Sequence, residues 1–234
     1  PLILTGTIID IQDLSMTRRN WNQICSVDGE KGQEIINKYL GVAAHSNHPV
    51  QSEILTVPGG ISLTSSVTAK SQTVWQGLVV HTVVAVGGTF DHLHAGHKLL
   101  LTATALLLQP STSSKDVERR LVIGITGEQL LKNKKYAECL QSWKDRHDYV
   151  VDFLCSILFF TQPQKQELET QLIDEPVVNG KAIHTRLKQA RITIECVEIQ
   201  DPFGPTITDE TVSALVVSGE TRSGGAAVNT KREE

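Results

Sequence analysis

The chain has 234 residues, a formal net charge of −4 at pH 7 and a 40% apolar fraction, which suffices for one substantial core or two modest ones. The slightly acidic balance argues against nucleic acid as a partner, and no apolar run approaches the length that spans a membrane. The four cysteines (Cys25, Cys139, Cys155 and Cys196) lack CxxC spacing, so we expect reduced thiols in a cytoplasmic protein.

Residues 1–78 carry few signals of chemistry. Segments 2–11 and 51–57 have the composition of strands, and residues 32–40 are predicted to form a short helix. The hydroxyl-rich residues 62–70 are predicted to be a linker. We interpret the whole region as an N-terminal extension or partial domain with a structural or partner-binding role.

Residues 79–234 begin with the stretch in which a strand, a glycine turn and a helix follow one another, VVAVGGTFDHLHAGHKLLL. Residues 83–86 are apolar and mostly β-branched over the length of a strand. Gly87 and Gly88 then let the backbone turn and a ligand approach closely. From Ala95 onwards the residues are good helix formers, so the sequence predicts a helix that begins there.

His94 and His97 flank the first turn of this predicted helix. A helix N-terminus offers unpaired N–H groups and the positive end of its dipole to a phosphate, and side chains at i and i+3 share one face. Neither an acyl-transfer nucleophile nor a Walker lysine accompanies them, so the pattern indicates an anion site for phosphoryl chemistry. A zinc site on His92, His94 and His97 is the alternative, although no paired cysteines lie near them.

A second strand and a basic loop are predicted to meet the histidines at one edge of the sheet. Residues 120–125 are predicted to form the second strand, and a right-handed crossover makes it parallel to the first. Its carboxyl end then opens beside the histidines, where open α/β sheets bind ligands. A basic loop at residues 131–135 (LKNKK) follows, and we interpret its lysines as the cations that bind a triphosphate. The alternative is a run of solvated charges.

The rest of the chain alternates between predicted helices, strands and turns. Ser142 and Asp145 form a predicted capping box ahead of a core helix that runs to Phe160. The remaining predicted elements are a surface insertion (162–180), a short amphipathic helix (183–190), a third strand (191–199), a proline turn (201–206), a fourth strand (214–217) and a glycine-rich loop (218–225). Together they predict an α/β fold, a Rossmann-like parallel sheet with helices on both faces, whose loops form a two-substrate site at one edge.

The motifs of this domain resemble those of the nucleotidylyltransferase superfamily. Residues 88–91 (GTFD) followed by residues 94–97 (HAGH) are similar to its GTFD and HxGH signature, at the expected junction of strand and helix. The order GGTFDHLHAGH, LLKNKKYAECLQSWKDR, DPFGPT and VVSGETRSGG resembles the phosphopantetheine adenylyltransferases of the eukaryotic type over residues 80–234. DPFGP and VSGETRSGG distinguish this type from the cytidylyltransferases that share GTFD and HxGH.

The resemblance implies adenylyl transfer from ATP to 4′-phosphopantetheine, giving dephospho-coenzyme A and pyrophosphate. It implies Mg²⁺ carried on the ATP, no metal bound by the protein itself, and other enzymes of coenzyme A synthesis as candidate partners. It assigns catalysis to His97, His94 and one lysine of the loop, Lys134 or Lys132. It places ATP against Gly87, Gly88, Thr89, Phe90, His97, Gly219, Glu220 and Thr221. It places phosphopantetheine against Thr89, Lys134, Asp201 and Phe203.

The resemblance also sets expectations about length. The family continues beyond the loop at residues 218–225 into a further helix, a fifth strand and a motif like ISSTxxR, so we expect the adenylyltransferase domain at residues 79–234 to be truncated at its C-terminus. No GxxxxGK[ST] motif occurs, so we expect a chain without a fused P-loop kinase. Two alternatives are a cytidylyltransferase acting on a phosphorylated alcohol and a non-catalytic nucleotide-binding scaffold.

Overall fold

The computed structural model describes residues 11–17, 20–46, 49–59, 81–109, 117–132, 134–159, 168–173, 181–188 and 190–234. These residues divide into two compact units, residues 11–59 and residues 81–234. None of the helices in the described ranges is long and apolar enough to cross a membrane.

The first unit is built around a pair of parallel strands. Its elements in chain order are α1 (Ile11–Met16), β1 (Gln23–Val27), α2 (Glu30–His45) and β2 (Glu53–Val57). β1 and β2 pair in parallel, which requires the crossover that α2 supplies. α2 turns its apolar face inwards by burying Ile36, Tyr39 and Ala43.

Two of the predictions for this unit are confirmed. The helix predicted at residues 32–40 lies within α2, and the strand predicted at residues 51–57 overlaps β2. β1 has no counterpart among the predictions because QICSV is too short to give a clear periodic signal. Residue 11 begins a helix, while the rest of the strand predicted at residues 2–11 and the linker predicted at residues 62–70 lie outside the described residues.

The second unit is an α/β fold around one mixed sheet. Its strands are β3 (Val83–Gly88), β4 (Arg119–Thr126), β5 (Leu168–Ile173), β6 (Ala182–Leu187), β7 (Ile192–Ile199) and β8 (Ala214–Val216). Its helices are α3 (Ala95–Leu106), α4 (Glu128–Leu131), α5 (Trp143–Leu158) and α6 (Arg222–Glu233), with short 3₁₀ helices at Ala137–Cys139 and Gly204–Ile207.

The sheet has the strand order of a Rossmann-like fold. Within the described residues the order is β5-β6-β7-β4-β3-β8, with β7, β4, β3 and β8 parallel to one another, β6 antiparallel to β7, and β5 antiparallel to β6 at the edge. The strands that follow β3 in the chain (β4 to β7) all lie on one side of it, and β8 lies on its other side. A topological switch point therefore lies between β3 and β8, the position where such sheets bind ligands.

The predicted parallel strands and the two long helices beside them are confirmed. The strands predicted at residues 83–86, 120–125, 191–199 and 214–217 are β3, β4, β7 and β8, and the predicted helices are α3 and α5. Ser142 is the N-cap of α5, and its Oγ accepts a hydrogen bond from the Asp145 N–H at 3.1 Å. This bond is the first half of the predicted capping box.

Successive strand residues face opposite sides of the sheet, and each side has its own core. On one face, Val84 and Val86 of β3 pack in the larger apolar cluster with residues of α3 and α5. On the other face, Val83 and Ala85 belong to a smaller cluster, and Val228 of α6 lines a cavity together with Ala85. Helices therefore lie on both faces of the sheet, as the alternation requires.

The helix predicted at residues 183–190 is wrong. Ala182–Leu187 forms β6, which pairs antiparallel with β7 and carries β5 on its other side. Ile183 and Leu187 have the spacing of a helix face, but the segment is too short for periodicity to decide, and pairing on both sides makes it a strand. The insertion predicted at residues 162–180 contains β5, and its remaining residues lie outside the described ranges.

The glycine-rich loop predicted at residues 218–225 is shorter than expected because α6 begins at Arg222. A Cβ atom added to Gly225 would lie 3.1 Å from Val217 Cγ1. This glycine therefore permits close packing of the first turn of α6 against the end of β8. The sequence pattern could not distinguish this use of glycine from an ordinary loop.

Candidate active site

The carboxyl ends of the parallel strands β3, β4 and β7 lie side by side. Gly88 is in register with Ile125, and Thr126 is in register with Ile199. The Gly127 N–H donates to the Ile199 carbonyl at 2.8 Å, which holds the loop after β4 against the end of β7. The loops that carry most of the predicted site residues therefore meet at one edge of the sheet.

The turn after β3 is fixed by a buried aromatic ring. Phe90 is fully buried at φ +53°, a conformation that costs a non-glycine residue about 1 kcal/mol. A Cβ atom added to Gly88 would lie 3.0 Å from Cζ of the Phe90 ring. Gly88 is therefore required by the packing of Phe90, and this packing sets the direction in which the chain enters α3.

His94 is the N-cap residue of α3, and its ring caps its own helix. The Gly96 N–H donates to His94 Nδ1 at 3.1 Å, so the neutral ring carries its proton on Nε2. The His97 ring stacks on His94 with the ring centroids 3.8 Å apart, and it lies 5.4 Å from the Phe90 ring. The structure thus brings the two predicted histidines together at the start of the helix.

Burial favours the uncharged form of His97 by lowering the pKa of its ring. Loss of hydration lowers the pKa of His97, the neighbouring His94 lowers it further, and Asp91 opposes the shift. Its Nδ1 atom is buried, and no group within the described residues forms a hydrogen bond to it. An unpaired buried nitrogen has a free-energy cost, so the position of the His97 ring is not explained by hydrogen bonds of Nδ1 within the described residues.

One lysine of the basic loop reaches the turn after β3. Lys134 Nζ donates to Thr89 Oγ1 at 3.1 Å. Lys132 is exposed at the C-cap position of α4, and no bond joins it to Thr89 in the described part of the chain. The geometry therefore favours Lys134 over Lys132 as the cation that accompanies His97.

The turn after β7 is organised by Asp201. Its Oδ1 accepts hydrogen bonds from the Phe203 N–H at 2.8 Å and the Gly204 N–H at 2.9 Å. Gly204 adopts φ +53°, which glycine tolerates without strain. One carboxylate oxygen of Asp201 is therefore committed to the turn, and the side chain that this turn presents is Phe203.

A cavity of about 210 Å³ lies on the face of the sheet that carries Ala85. Gly87 and Gly124 pair in register across β3 and β4 and both line it, so a ligand can approach the backbone closely at this point. Phe203 and Thr221 also line this cavity. The predicted ligand-binding residues are thus divided between this cavity and the histidine side of the sheet, while Gly219 and Glu220 are exposed.

Comparison with known proteins gives matches over both units. Residues 1–63 match a family described as a domain of unknown function (DUF8446). An uncharacterized protein of Schizosaccharomyces pombe (C1F12.08) is 31% identical over 214 residues, which is 91% of this chain and 52% of that protein. The phosphopantetheine adenylyltransferase of Pyrococcus abyssi is 30% identical over 151 residues, which is 64% of this chain and 69% of that protein. The chain belongs to the phosphopantetheine adenylyltransferase family.

The match to this family extends to a longer relative in yeast. The phosphopantetheine adenylyltransferase of Saccharomyces cerevisiae is 32% identical over 152 residues, covering 65% of this chain and 37% of that protein. This chain therefore spans about half of the Schizosaccharomyces pombe protein and just over a third of the Saccharomyces cerevisiae protein. No solved structure matches the chain.

The geometry of this adenylyltransferase-family site gives no support to the zinc alternative. Within the described residues, no group of three or more His, Cys, Asp or Glu side chains is arranged to hold a metal ion. His92 Nε2 lies 3.2 Å from the Cys139 carbonyl, and His94 Nδ1 accepts from its own helix. His92 and His94 are thus each engaged by backbone groups, and His97 stacks on His94.

Two residues of the site escape the sequence analysis, Arg146 and Gln141. Arg146 Nη1 donates to the Thr89 carbonyl at 2.8 Å and to the Thr126 carbonyl at 2.9 Å. The Gln141 N–H donates to Asp91 Oδ1 at 2.8 Å, so this residue also supports the turn that carries the family motif. The sequence feature that could have pointed to Arg146 is its position early in α5, near the positive end of the helix dipole, where cations are disfavoured.

Proposed function

We propose that the protein catalyses adenylyl transfer from ATP to 4′-phosphopantetheine, giving dephospho-coenzyme A and pyrophosphate. We also propose that it belongs to the eukaryotic type of phosphopantetheine adenylyltransferase. The observation that carries this proposal is the turn before α3, where Lys134 bonds to Thr89 and the next residue, Phe90, packs near the His97 ring. The names of the Pyrococcus abyssi and Saccharomyces cerevisiae relatives support the choice of substrate. DPFGP and VSGETRSGG support the assignment to the eukaryotic type.

In the proposed reaction, a phosphate oxygen of phosphopantetheine attacks the α-phosphorus of ATP in line. The bond to the bridging oxygen breaks, pyrophosphate leaves, and no covalent intermediate forms on the protein. The N–H groups of α3, the rings of His94 and His97, and the Lys134 ammonium would stabilise the charge on the oxygens of the pentacoordinate phosphorus. His94 is suited to donate because its Nε2 carries the proton while Nδ1 caps the helix.

Mg²⁺ is proposed as part of the ATP substrate, where it offsets the charge of the triphosphate. The described residues of the site supply imidazoles, an ammonium and backbone N–H groups, and no set of carboxylates is arranged to hold a metal ion. This donor set fits an ion carried by phosphate oxygens and water, the ligands that Mg²⁺ prefers at nucleotide sites.

Each substrate is assigned to residues that span both the cavity and the histidine side of the strand ends. We assign ATP to Gly87, Gly88, Thr89, Phe90, His97 and the loop at Gly219, Glu220 and Thr221. We assign phosphopantetheine to Thr89 and Lys134, with its arm along the turn of Asp201 and Phe203. Thr89 belongs to both sets because it lies where the two ligands must meet, with its hydroxyl held by Lys134.

The experiment that tests this proposal measures pyrophosphate release by the full-length protein. With 4′-phosphopantetheine as acceptor, we expect release with ATP and little release with CTP. Release only with CTP and a phosphorylated alcohol would favour the cytidylyltransferase alternative. ATP binding in calorimetry without any release would favour the non-catalytic scaffold.

Phe203→Ala is expected to weaken phosphopantetheine binding by a few-fold to tenfold, on the order of 1 kcal/mol, because part of an apolar wall is lost. ATP affinity should change little. Calorimetric titration of each ligand into wild type and variant measures both effects. Equal losses for both ligands, or a lower Tm with unchanged affinities, would assign Phe203 to the turn's structure and not to the ligand.

Binding of a non-hydrolysable ATP analogue is expected to raise the pKa of His97, since the triphosphate adds negative charge beside a ring whose pKa burial lowers. Between the free and bound pKa values the complex holds more protons than the free protein. The analogue should therefore bind more tightly as the pH falls through that window.

NMR titration of the His97 ring with and without the analogue measures this shift directly. Adenosine is the control ligand because it lacks the phosphates and should leave the pKa of His97 near its value in the free protein. An unchanged or lowered pKa with the analogue would place the triphosphate away from His97.

A further inference from the structure

Arg146 is a buried cation whose bonds in the described part of the chain all go to backbone carbonyls. Its side chain is fully buried near the start of α5. Nη1 donates to the Thr89 carbonyl at 2.8 Å and the Thr126 carbonyl at 2.9 Å, and Nε donates to the Gln141 carbonyl at 3.1 Å. A single guanidinium thus joins the loops after β3 and β4 to the segment that precedes α5.

Burial of this guanidinium has a free-energy cost, which we attribute to the need to hold the three carbonyls in place. Burial lowers the pKa of Arg146, although a guanidinium keeps its proton in proteins. The negative charges of Asp91, Glu128 and Glu198 offset part of the desolvation penalty, but no carboxylate bonds to the guanidinium within the described residues, and an apolar residue of similar volume would avoid the penalty. The planar fork of donors is what distinguishes arginine here, because it fixes the angle as well as the distance between its acceptors.

The residue most constrained by this fork is Thr89. Its carbonyl accepts from Arg146 and its hydroxyl accepts from Lys134 Nζ at 3.1 Å, so both ends of the residue are held. Gln141 adds a second support, because its N–H donates to Asp91 Oδ1 at 2.8 Å and its Oε1 accepts from the His92 N–H at 2.7 Å. The backbone from Thr89 to His92 is therefore fixed by Arg146 directly and through Gln141.

We propose that Arg146 is a positioning residue that fixes the turn of residues 89–92, and through it the places of Lys134 and of the Phe90 ring against His97. It touches no substrate and acts through the three carbonyls. The kinetic part of this proposal rests on the proposed function, whereas the placement of His97 can be measured without any substrate.

The test compares Arg146→Lys with Arg119→Lys in the full-length protein. Arg119 is the matched control because it is also buried, with 5% of its surface exposed, and it also donates to two backbone carbonyls, those of Gln109 and Ala190. It lies at the opposite end of β4, away from the proposed site. Both variants keep the charge and lose the fork, so they should lower Tm to a similar extent.

For Arg146→Lys we expect kcat to fall about tenfold while KM for ATP changes less than threefold, because the charge stays and only the placement of Thr89 is lost. The pKa of His97, followed by NMR without substrate, should rise towards its ordinary value as the Phe90 contact loosens and water enters. Arg119→Lys should change neither kcat nor the pKa of His97.

Equal changes in kcat and in the pKa of His97 for the two variants, or no change in either, would overturn the positioning role. If Arg146→Lys does not fold, Arg146→Gln replaces it, and loss of folding in both would overturn the proposal by showing a purely structural residue. If the wild-type protein shows no transfer, the proposed function fails. The NMR comparison of the two variants still decides the role of Arg146.

Discussion

His97→Ala is expected to lower kcat by about two orders of magnitude or more while leaving the fold intact. The neutral ring stacks on His94 at the start of α3, where it can donate to oxygens that gain charge in the transition state. Loss of one such donor typically costs a factor of about 10² to 10³ in kcat. Because the interaction forms mainly in the transition state, KM for both substrates should change little.

Steady-state kinetics of the purified variant, with circular dichroism and Tm as tests of folding, measures this loss. His184→Ala is a suitable control, since His184 is a partly buried histidine on β6, away from the loops of the proposed site. It should keep wild-type kcat. A kcat of the His97 variant within a few-fold of wild type would contradict its catalytic role.

Lys134→Ala is expected to lower kcat/KM for phosphopantetheine by about thirtyfold, which corresponds to ~2 kcal/mol for a charge-assisted hydrogen bond to phosphate. The Lys134 ammonium lies 3.1 Å from the Thr89 hydroxyl and is exposed, so an incoming phosphate can reach it without rearrangement. Much of the loss should appear as a raised KM, because the bond forms already in the ground state.

The comparison with Lys132→Ala decides which lysine of the basic loop contacts the substrate phosphate. Both substitutions remove one positive charge from the same segment, so long-range attraction of the substrate changes equally. Lys132 lies at the C-cap of α4 and should affect kcat/KM by a factor of about two or less, as expected for an exposed, screened charge. A larger loss for Lys132 would reverse the assignment, and two silent variants would mean a solvated charge run.

The sequence predicts the central strands and α3 because their signals are local. β3 and residues 121–125 of β4 are apolar runs, β7 alternates apolar and polar residues, and the helix formers after Ala95 follow a glycine turn. β6 is missed because six residues with apolar side chains at 183 and 187 fit either conformation, and the pairing partners that decide between them lie elsewhere in the chain. Elements defined by their neighbours cannot be recognised from local periodicity.

The same distinction applies to the proposed site. The two histidines and the glycine turn are close in sequence, so their spacing alone brings them together at the start of α3. The choice between Lys134 and Lys132 depends on the fold of the intervening loop. The sequence marks Arg146 only as a cation early in a helix, and its role cannot be predicted from this because its acceptors are backbone carbonyls up to 57 residues away. Because residues of every type have a backbone carbonyl, a sequence motif cannot identify these acceptors.

Arg232 near the end of α6 ties this helix to the segment after β7. Its guanidinium donates to the carbonyls of Asp209 and Val212, both at 3.2 Å, and also to those of Thr206 and Glu210. The start of α6 and the 3₁₀ helix at Gly204–Ile207 border the same cavity, so its two walls move together. A ligand that orders one wall has already met the entropy cost of ordering the other, and two ligands sharing this cavity would therefore bind with positive cooperativity, each raising the affinity for the other.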